Sequence, residues 1–336
     1  MLKEFTRIVS EGEDLTEAQA EQSLELILAE ETPDADIGAL LTALAVKGES
    51  PAEIVGFARV MRRQAIPVRA KHSRLIDTAG TGGGADTFNI STAAVFVISG
   101  AGLPVAKHGN RALTSRCGSA DVLAALGVRI ERSLEVAELS LNEIGVAFMF
   151  APHFHPAMKR VAEIRRELGR RTIFNLLGPL TNPASAPYQI VGVYSPDLTE
   201  KLARALLGLG CRRAWVVHSH DGLDELSTGA RARVSDARDG KVESFDLDPK
   251  DFGFEVSPIE RFSGGSAEEN AGMIRGILEG RIQGPARDVV VLNAAAALHV
   301  ADAGDLNEAI EKAKESLDSG AALEKLSQLI KVYSAT

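Results

Sequence analysis

Cysteine is scarce in this chain of 336 residues: only Cys117 and Cys211 are present, far apart. Two such residues build no disulfide framework, and a reducing, cytoplasmic setting is expected. Long apolar runs are missing as well. None reaches the roughly 18 residues that a membrane helix needs, so no membrane partner is expected. The opening Met1-Leu2-Lys3-Glu4-Phe5 lacks the apolar core of a secretion signal. Cations are in the minority, 37 Lys and Arg against 46 Asp and Glu, for a net charge of −9. A chain of that sign has no global nucleic-acid footprint, because nonspecific binding relies on many cations against phosphates. No internal repeat or low-complexity tract occurs. What remains is a globular chain, 45% hydrophobic, long enough for two lobes.

Residues 1 to about 70 carry helical patterns only. Thr16-Glu17-Ala18-Gln19 and Ser50-Pro51-Ala52-Glu53 fit capping boxes, the second with proline at the first helical position. Ala18, Ser23, Leu26 and Ile27 form one apolar stripe, and Ile37, Leu40, Leu41 and Leu44 another. From Leu75 short β-prone runs alternate with helical ones. The expected strands are 75–77, 104–106, 146–150, 190–194, 214–218 and 289–292, with helices at 119–126, 134–144 and 198–209 between them. Residues 229 to about 265 suggest a hairpin or small antiparallel addition, and 305–332 read as helical. The expected fold is therefore α/β: a small all-helical N-terminal lobe, then a larger α/β lobe with a mostly parallel central sheet.

Two segments carry the strongest chemical signal. Gly80-Thr81-Gly82-Gly83-Gly84 is followed by Asn89-Ile90-Ser91-Thr92 and an apolar run, and Lys107-His108-Gly109-Asn110-Arg111 comes soon after. Glycines let backbone N–H groups reach a ligand. The first turn of a helix adds free amides and a positive dipole end, both suited to phosphate. Lys107 contributes a full positive charge. An ordinary strand–turn–helix join explains a lone glycine cluster equally well, but not the hydroxyl-rich turn and basic loop that follow.

Asp224 and Glu225, in His220-Asp221-Gly222-Leu223-Asp224-Glu225-Leu226-Ser227, fit a magnesium anchor, since Mg²⁺ is usually held by one or two carboxylates plus substrate phosphates. A solvated acidic turn is the other reading of the pair. The histidines and cysteines have no structural zinc spacing, and Cys117 reads as a small buried hydrophobe. Arg165, Arg166, Arg170 and Arg171 offer planar forks for a carboxylate, or a charged helix end closed by Gly169.

These segments resemble, in order and over nearly the whole chain, the anthranilate phosphoribosyltransferases. The matching stretches are GTGG at 80–83, NIST at 89–92, KHGNR at 107–111, GSADVL at 118–123, FAPHFHPAMK at 150–159, RTIFNLLGPLTNP at 171–183 and HDGLDELS at 220–227. The resemblance implies transfer of a phosphoribosyl group from phosphoribosyl pyrophosphate (PRPP) to the amine of anthranilate. It implies Mg²⁺, two ions in number, and a homodimer formed through the helical lobe, which spans 1–70 and is joined by helices around 165–185. The lobe from 71 to 336 would bind PRPP. It places Gly80, Gly83, Gly84, Thr87, Asn89, Ile90, Ser91, Thr92, the loop Lys107, His108, Gly109, Asn110, Arg111, Ala112, Leu113, Thr114, Ser115, and Ser119 against PRPP. Gly80, Asn110 and Arg165 would meet anthranilate, with His108, His155 and Pro179 along its entry path. Ser91, Asp224 and Glu225 would hold metal, Glu225 bridging. An aromatic amine is largely neutral at pH 7, so no essential catalytic acid or base is expected.

Family members usually carry an aspartate directly after GTGG, in a turn one residue longer. Here Gly84 stands in that place, followed by Ala85-Asp86-Thr87, which bears on metal affinity and on how the turn closes. Two rival readings share the general pattern. A pyrimidine nucleoside phosphorylase would carry an unbroken KHSTGG, whereas Lys71-His72-Ser73 is separated from the glycines. A non-catalytic nucleic-acid-binding relative would lack parts of KHGNR or of the acceptor pocket.

Overall fold

The computed structural model describes residues 1–112 and 116–335. Four helices open the chain: α1 (Leu2–Ser10), α2 (Glu17–Leu28), α3 (Asp34–Lys47) and α4 (Pro51–Gln64). There follow β1 (Ile76–Gly80), α5 (Ile90–Gly100), β2 (Val105–Gly109), α6 (Ser119–Ala125), α7 (Leu134–Ile144), β3 (Val146–Phe150), α8 (Ala151–Phe154), α9 (Lys159–Leu168) and α10 (Phe174–Leu177). Then come β4 (Tyr188–Gly192), α11 (Leu198–Gly208), β5 (Arg213–Ser219), the hairpin β6 (Ala232–Arg238) and β7 (Lys241–Leu247), and helices α12 (Ala267–Leu278), α13 (Pro285–Val300), α14 (Leu306–Asp318) and α15 (Ala321–Ser334).

Both expected capping boxes form: the Thr16 and Ser50 hydroxyls accept from the backbone of Gln19 and Glu53, whose side chains accept in return from the cap amides. Ile37, Leu40, Leu41 and Leu44 are fully buried. The stripe on α2 is corrected. Ala18 is exposed, and the inner face is Ala20, Ser23, Leu24 and Ile27. That set keeps the i, i+3, i+4, i+7 spacing of a helix face.

The sheet runs β3-β2-β1-β4-β5-β6-β7, parallel as far as β5 and antiparallel beyond. The hairpin thus extends the main sheet. Side chains alternate across it. Ile190, Trp215 and Val217 join a core with α5, α13, α14 and α15, while Val191, Ala214 and Val216 join one with α11 and the N-terminal helices. The expected strand at 289–292 does not exist; Val289–Leu292 lies inside α13. A short apolar run bounded by turns fits a buried strand and a buried helix alike. Pro285 at the first helical turn and burial on all sides made this one a helix. Among the described residues no helix is long and apolar enough to cross a membrane.

Gly56 lets α4 lie against α2: a Cβ there would sit 2.6 Å from both Ala20 Cβ and Glu17 O. Alanine is the better helix former by about 1 kcal/mol. Gly56→Ala is nevertheless expected to destabilise the protein by about 1–3 kcal/mol, measured by urea unfolding. A stabilised variant would contradict this close approach.

Candidate active site

Strand order reverses direction between β1 and β4, which pair in parallel with Gly80 opposite Gly192. In such sheets the ligand crevice lies beyond the carboxyl ends of the strands at this switch point. The glycine turn leaves β1 there, the basic loop leaves β2, and the acidic loop leaves β5.

Gly82 and Gly83 take φ of +66° and +88°, in the left-handed region that side chains rarely adopt. The turn is anchored at its base, where Thr81 N donates to Gly192 O (2.9 Å) and Tyr194 N to Thr81 Oγ1 (3.2 Å). Gly84 lies against the acidic loop; a Cβ on it would stand 2.3 Å from Asp224 Oδ1. A Cβ on Gly192 would stand 1.6 Å from the carbonyl oxygen of Asp224. Asp86 does not join the carboxylate pair but lies beside Arg116 (3.6 Å) in solvent.

Asn89 caps α5 without a side-chain bond to the helix. Its Nδ2 donates to Cys117 O (2.9 Å) and its Oδ1 accepts from Asn270 (3.0 Å), which ties the helix start to the basic loop. Ile90 and Thr92 are buried, and Thr92 Oγ1 has no partner. The Ser91 amide donates to Glu225 Oε1 (3.0 Å), while Glu225 Oε2 is buried and unpartnered. Burial, then the neighbouring Asp224, pushes the Glu225 carboxyl up to about 8; burial also raises Asp224. Lys107 Nζ donates to Thr78 O (2.6 Å) and reaches Ser91 Oγ (3.5 Å). Burial lowers the lysine's pKa, and Asp77 and Glu225 work against that shift. Adjacent half-buried carboxylates, one with a buried, unpartnered oxygen, beside the Ser91 hydroxyl are the donor set of a hard divalent cation. The site fits magnesium on that ground.

The basic loop continues with Gly109, where a Cβ would meet Ser119 Oγ at 2.2 Å. Ser119 Oγ donates to Asn110 O (3.4 Å), and Asn110 Oδ1 accepts from the Arg111 amide (2.8 Å). Arg111 reaches Asp121 and Glu131, both at 3.2 Å, and the Ala112 amide donates to Asp121. Thr87 is held by a bridge to Ser263. Leu113, Thr114 and Ser115 lie outside the described residues.

A second group gathers on the other side of β2. The His108 and His155 rings stand 4.9 Å apart, and His108 Nδ1 lies 3.2 Å from Gly178 O, beside buried Pro179. His108 Nε2 and both His155 nitrogens are buried without partners. Arg165 is half-buried with its guanidinium 5.5 Å from the Phe174 ring centroid, and its Nε is unpartnered. Of the other arginines, Arg166 pairs with Glu163 and Arg170 is exposed. Asp77 and Tyr194 escaped sequence reasoning, and Arg171 is read there only as one of four possible forks for a carboxylate. Asp77, wholly buried, accepts from the His108 amide (3.3 Å). Arg171 stacks on Tyr194 with its guanidinium carbon 3.7 Å from the ring centroid. Arg171 stood at the head of a matching stretch, which was the available signal; Asp77 and Tyr194 had none.

The chain matches the helical bundle domain of a glycosyl transferase family over residues 3–65 and the a/b domain of that family over 72–323. It is 51% identical over 332 residues to an anthranilate phosphoribosyltransferase of Moorella thermoacetica, covering 98% of each chain. The crystal structure of the enzyme of that name from Thermus thermophilus superposes with a TM-score of 0.92 at 41% identity, covering 98% of this chain and 99% of that one. The enzyme from Saccharomyces cerevisiae in complex with PRPP and Mg gives 0.90 at 29% identity, covering 100% and 98%. The yeast enzyme has also been solved with 4-fluoroanthranilate.

Burial, and for His108 also the neighbouring ring, depresses His108 to about 3 and His155 to about 4 from an ordinary 6.5. Both are neutral in the folded protein. Their contribution to stability is full above pH 6.5 and is lost as pH falls toward 4. His155→Asn should therefore lose less stability than wild type between those limits, by up to about 3 kcal/mol. Denaturant titrations at about pH 7 and about pH 4.5 check it; parallel losses would refute the neutral pair.

Proposed function

The chain belongs to the anthranilate phosphoribosyltransferase family, and on that premise we propose how its residues divide the work. The enzyme moves the 5-phosphoribosyl group of PRPP to the amine of anthranilate, giving N-(5-phosphoribosyl)anthranilate and pyrophosphate in tryptophan biosynthesis. The observation that carries the assignment of roles is the convergence of Asp224, Glu225, Ser91 and Lys107 on the glycine turn at the β1/β4 switch point.

Pyrophosphate leaves with a large negative charge, so stabilising that charge is the main task. The turn amides, the first turn of α5 and Lys107 supply fixed positive potential. Ser91, Asp224 and Glu225 would hold magnesium, which would supply positive charge against the leaving pyrophosphate; two ions are proposed. Thr87, Asn89, Thr92, the loop 107–115 and Ser119 hold the phosphoribosyl part. Arg165, held charged despite burial, takes the anthranilate carboxylate with Asn110 and Gly80 beside it. His108, His155 and Pro179 border the entry path, the imidazoles neutral. The attacking amine is neutral and needs no strong base, so orientation of the two substrates does the rest.

The phosphorylase reading is not favoured. His72 Nε2 lies 3.0 Å from Leu141 O and the Lys71 amide donates to Asn142, both in the loop before β1. The division at residue 70 lies between the two family matches, which end at 65 and begin at 72; the helices around 165–185 are assigned to the N-terminal lobe because Ile164, Phe174 and Leu177 pack into its core. Cytoplasmic residence accords with two free cysteines. A homodimer is proposed through the helical lobe. A cavity of about 1050 Å³ between α1, α3 and α9 is lined by Val9, Ala39, Ala43, Val46 and Leu168, and Val46 is 72% exposed.

Loss of anthranilate fluorescence in the presence of PRPP and Mg²⁺ follows the reaction. Arg165→Ala should raise the KM for anthranilate by about 10- to 100-fold and leave PRPP binding nearly unchanged; equal losses would remove the assigned role. Asp224→Asn with Glu225→Gln should abolish the metal requirement along with most turnover, and full activity would reject the anchor. Val46→Glu should shift sedimentation toward the monomer; an unchanged coefficient for a wild-type dimer places the interface elsewhere.

A further inference from the structure

The glycine turn is tied down at both ends and nearly free between them. Thr81 is anchored to Gly192 and Tyr194, and Thr87 and Phe88 to Ala85 and Phe262. Among the described residues, the backbone of Gly82–Gly84 makes a single hydrogen bond to protein: Gly83 O accepts from Arg171 Nη2 at 3.3 Å. The guanidinium occupies the space beside Gly83, where a Cβ would stand 1.9 Å from Nη2. Arg171 is itself fixed by stacking on Tyr194, 3.7 Å from ring centroid to guanidinium carbon. Tyr194 in turn donates its amide to Thr81 Oγ1. Arginine, ring and turn therefore close a small circuit.

A peptide unit is planar and trans, so its C=O and N–H point in opposite directions. Anchoring the Gly83 carbonyl toward Arg171 turns the Gly84 N–H the other way. Without that anchor two consecutive glycines have a wide choice of φ, and the peptide between Gly83 and Gly84 can rotate. An oriented amide is useful to an anion only if it is oriented before the anion arrives. We propose that Arg171, stacked on Tyr194, is a positioning residue that sets the direction of the Gly84 amide and thereby the affinity of the turn for the diphosphate of PRPP. The inference rests on the reading of this turn as the diphosphate site. Arg171 leads the stretch RTIFNLLGPLTNP, in which only Pro179 has been given a role above.

The test uses the full chain and two readouts. Calorimetric titration with PRPP and Mg²⁺ should show Arg171→Ala weakening PRPP by about tenfold or more, with the KM for anthranilate within about twofold of wild type. Hydrogen exchange of the segment 80–88 in ligand-free protein should be faster in the same variant. Tyr194→Phe keeps the ring and should behave as wild type, whereas Tyr194→Leu should follow Arg171→Ala. Arg171→Lys, a point charge that stacks poorly, should fall between. Unchanged PRPP affinity in Arg171→Ala, or equal losses for both substrates, overturns the proposal. Full rescue of affinity by Arg171→Lys with wild-type exchange overturns it as well, in favour of a plain charge effect. Failure of wild type to bind PRPP at all would instead remove the underlying reading of the turn.

Discussion

Two neighbouring half-buried carboxylates beside a buried lysine constrain everything else at this site. Charges in such surroundings are costly unless they are paired or bound to cations. Asp224 and Glu225 are both pushed toward their protonated forms, and Lys107 is pushed toward neutrality while Asp77 and Glu225 oppose it. On the proposed reading, magnesium and the diphosphate of PRPP complete this charge balance. The glycines follow from the same constraint, because side chains on residues 84 and 192 would collide with Asp224.

The sheet sets the distances. Because β1 and β4 are adjacent while their connections run to opposite sides, three loops that are remote in sequence open at one edge. The proposed donor and acceptor regions sit on the two sides of this edge. The glycine turn leaves β1, and Arg165 comes from α9, whose Ile164 belongs to the core shared with the N-terminal helices. On the proposed role of Arg165, acceptor recognition is mechanically linked to the smaller lobe.

Much of this was legible in the sequence. The two capping boxes, the helix at 134–144 and the strand at 146–150 all form as read, because each is encoded by neighbouring residues. The run 289–292 misled because β-branched residues in an all-apolar context have no period to read. The α2 stripe slipped because small residues such as Ala18 and Ala20 mark a face weakly. Glycines, Lys107 and the acidic pair announced themselves by type. Asp77 and Tyr194 did not, since their roles come from contacts with the distant His108 and Arg171. No local pattern encodes a partner on another loop.

Gly192 carries a consequence for recombining such chains. The atom it must avoid is the main-chain oxygen of residue 224, so no change of side chain in the acidic loop relieves the conflict. The two positions form a sterically coupled pair separated by a helix and a strand. In a gene-shuffling library, a breakpoint falling between them yields a working protein only when the parent that supplies β4 also brings glycine at its end.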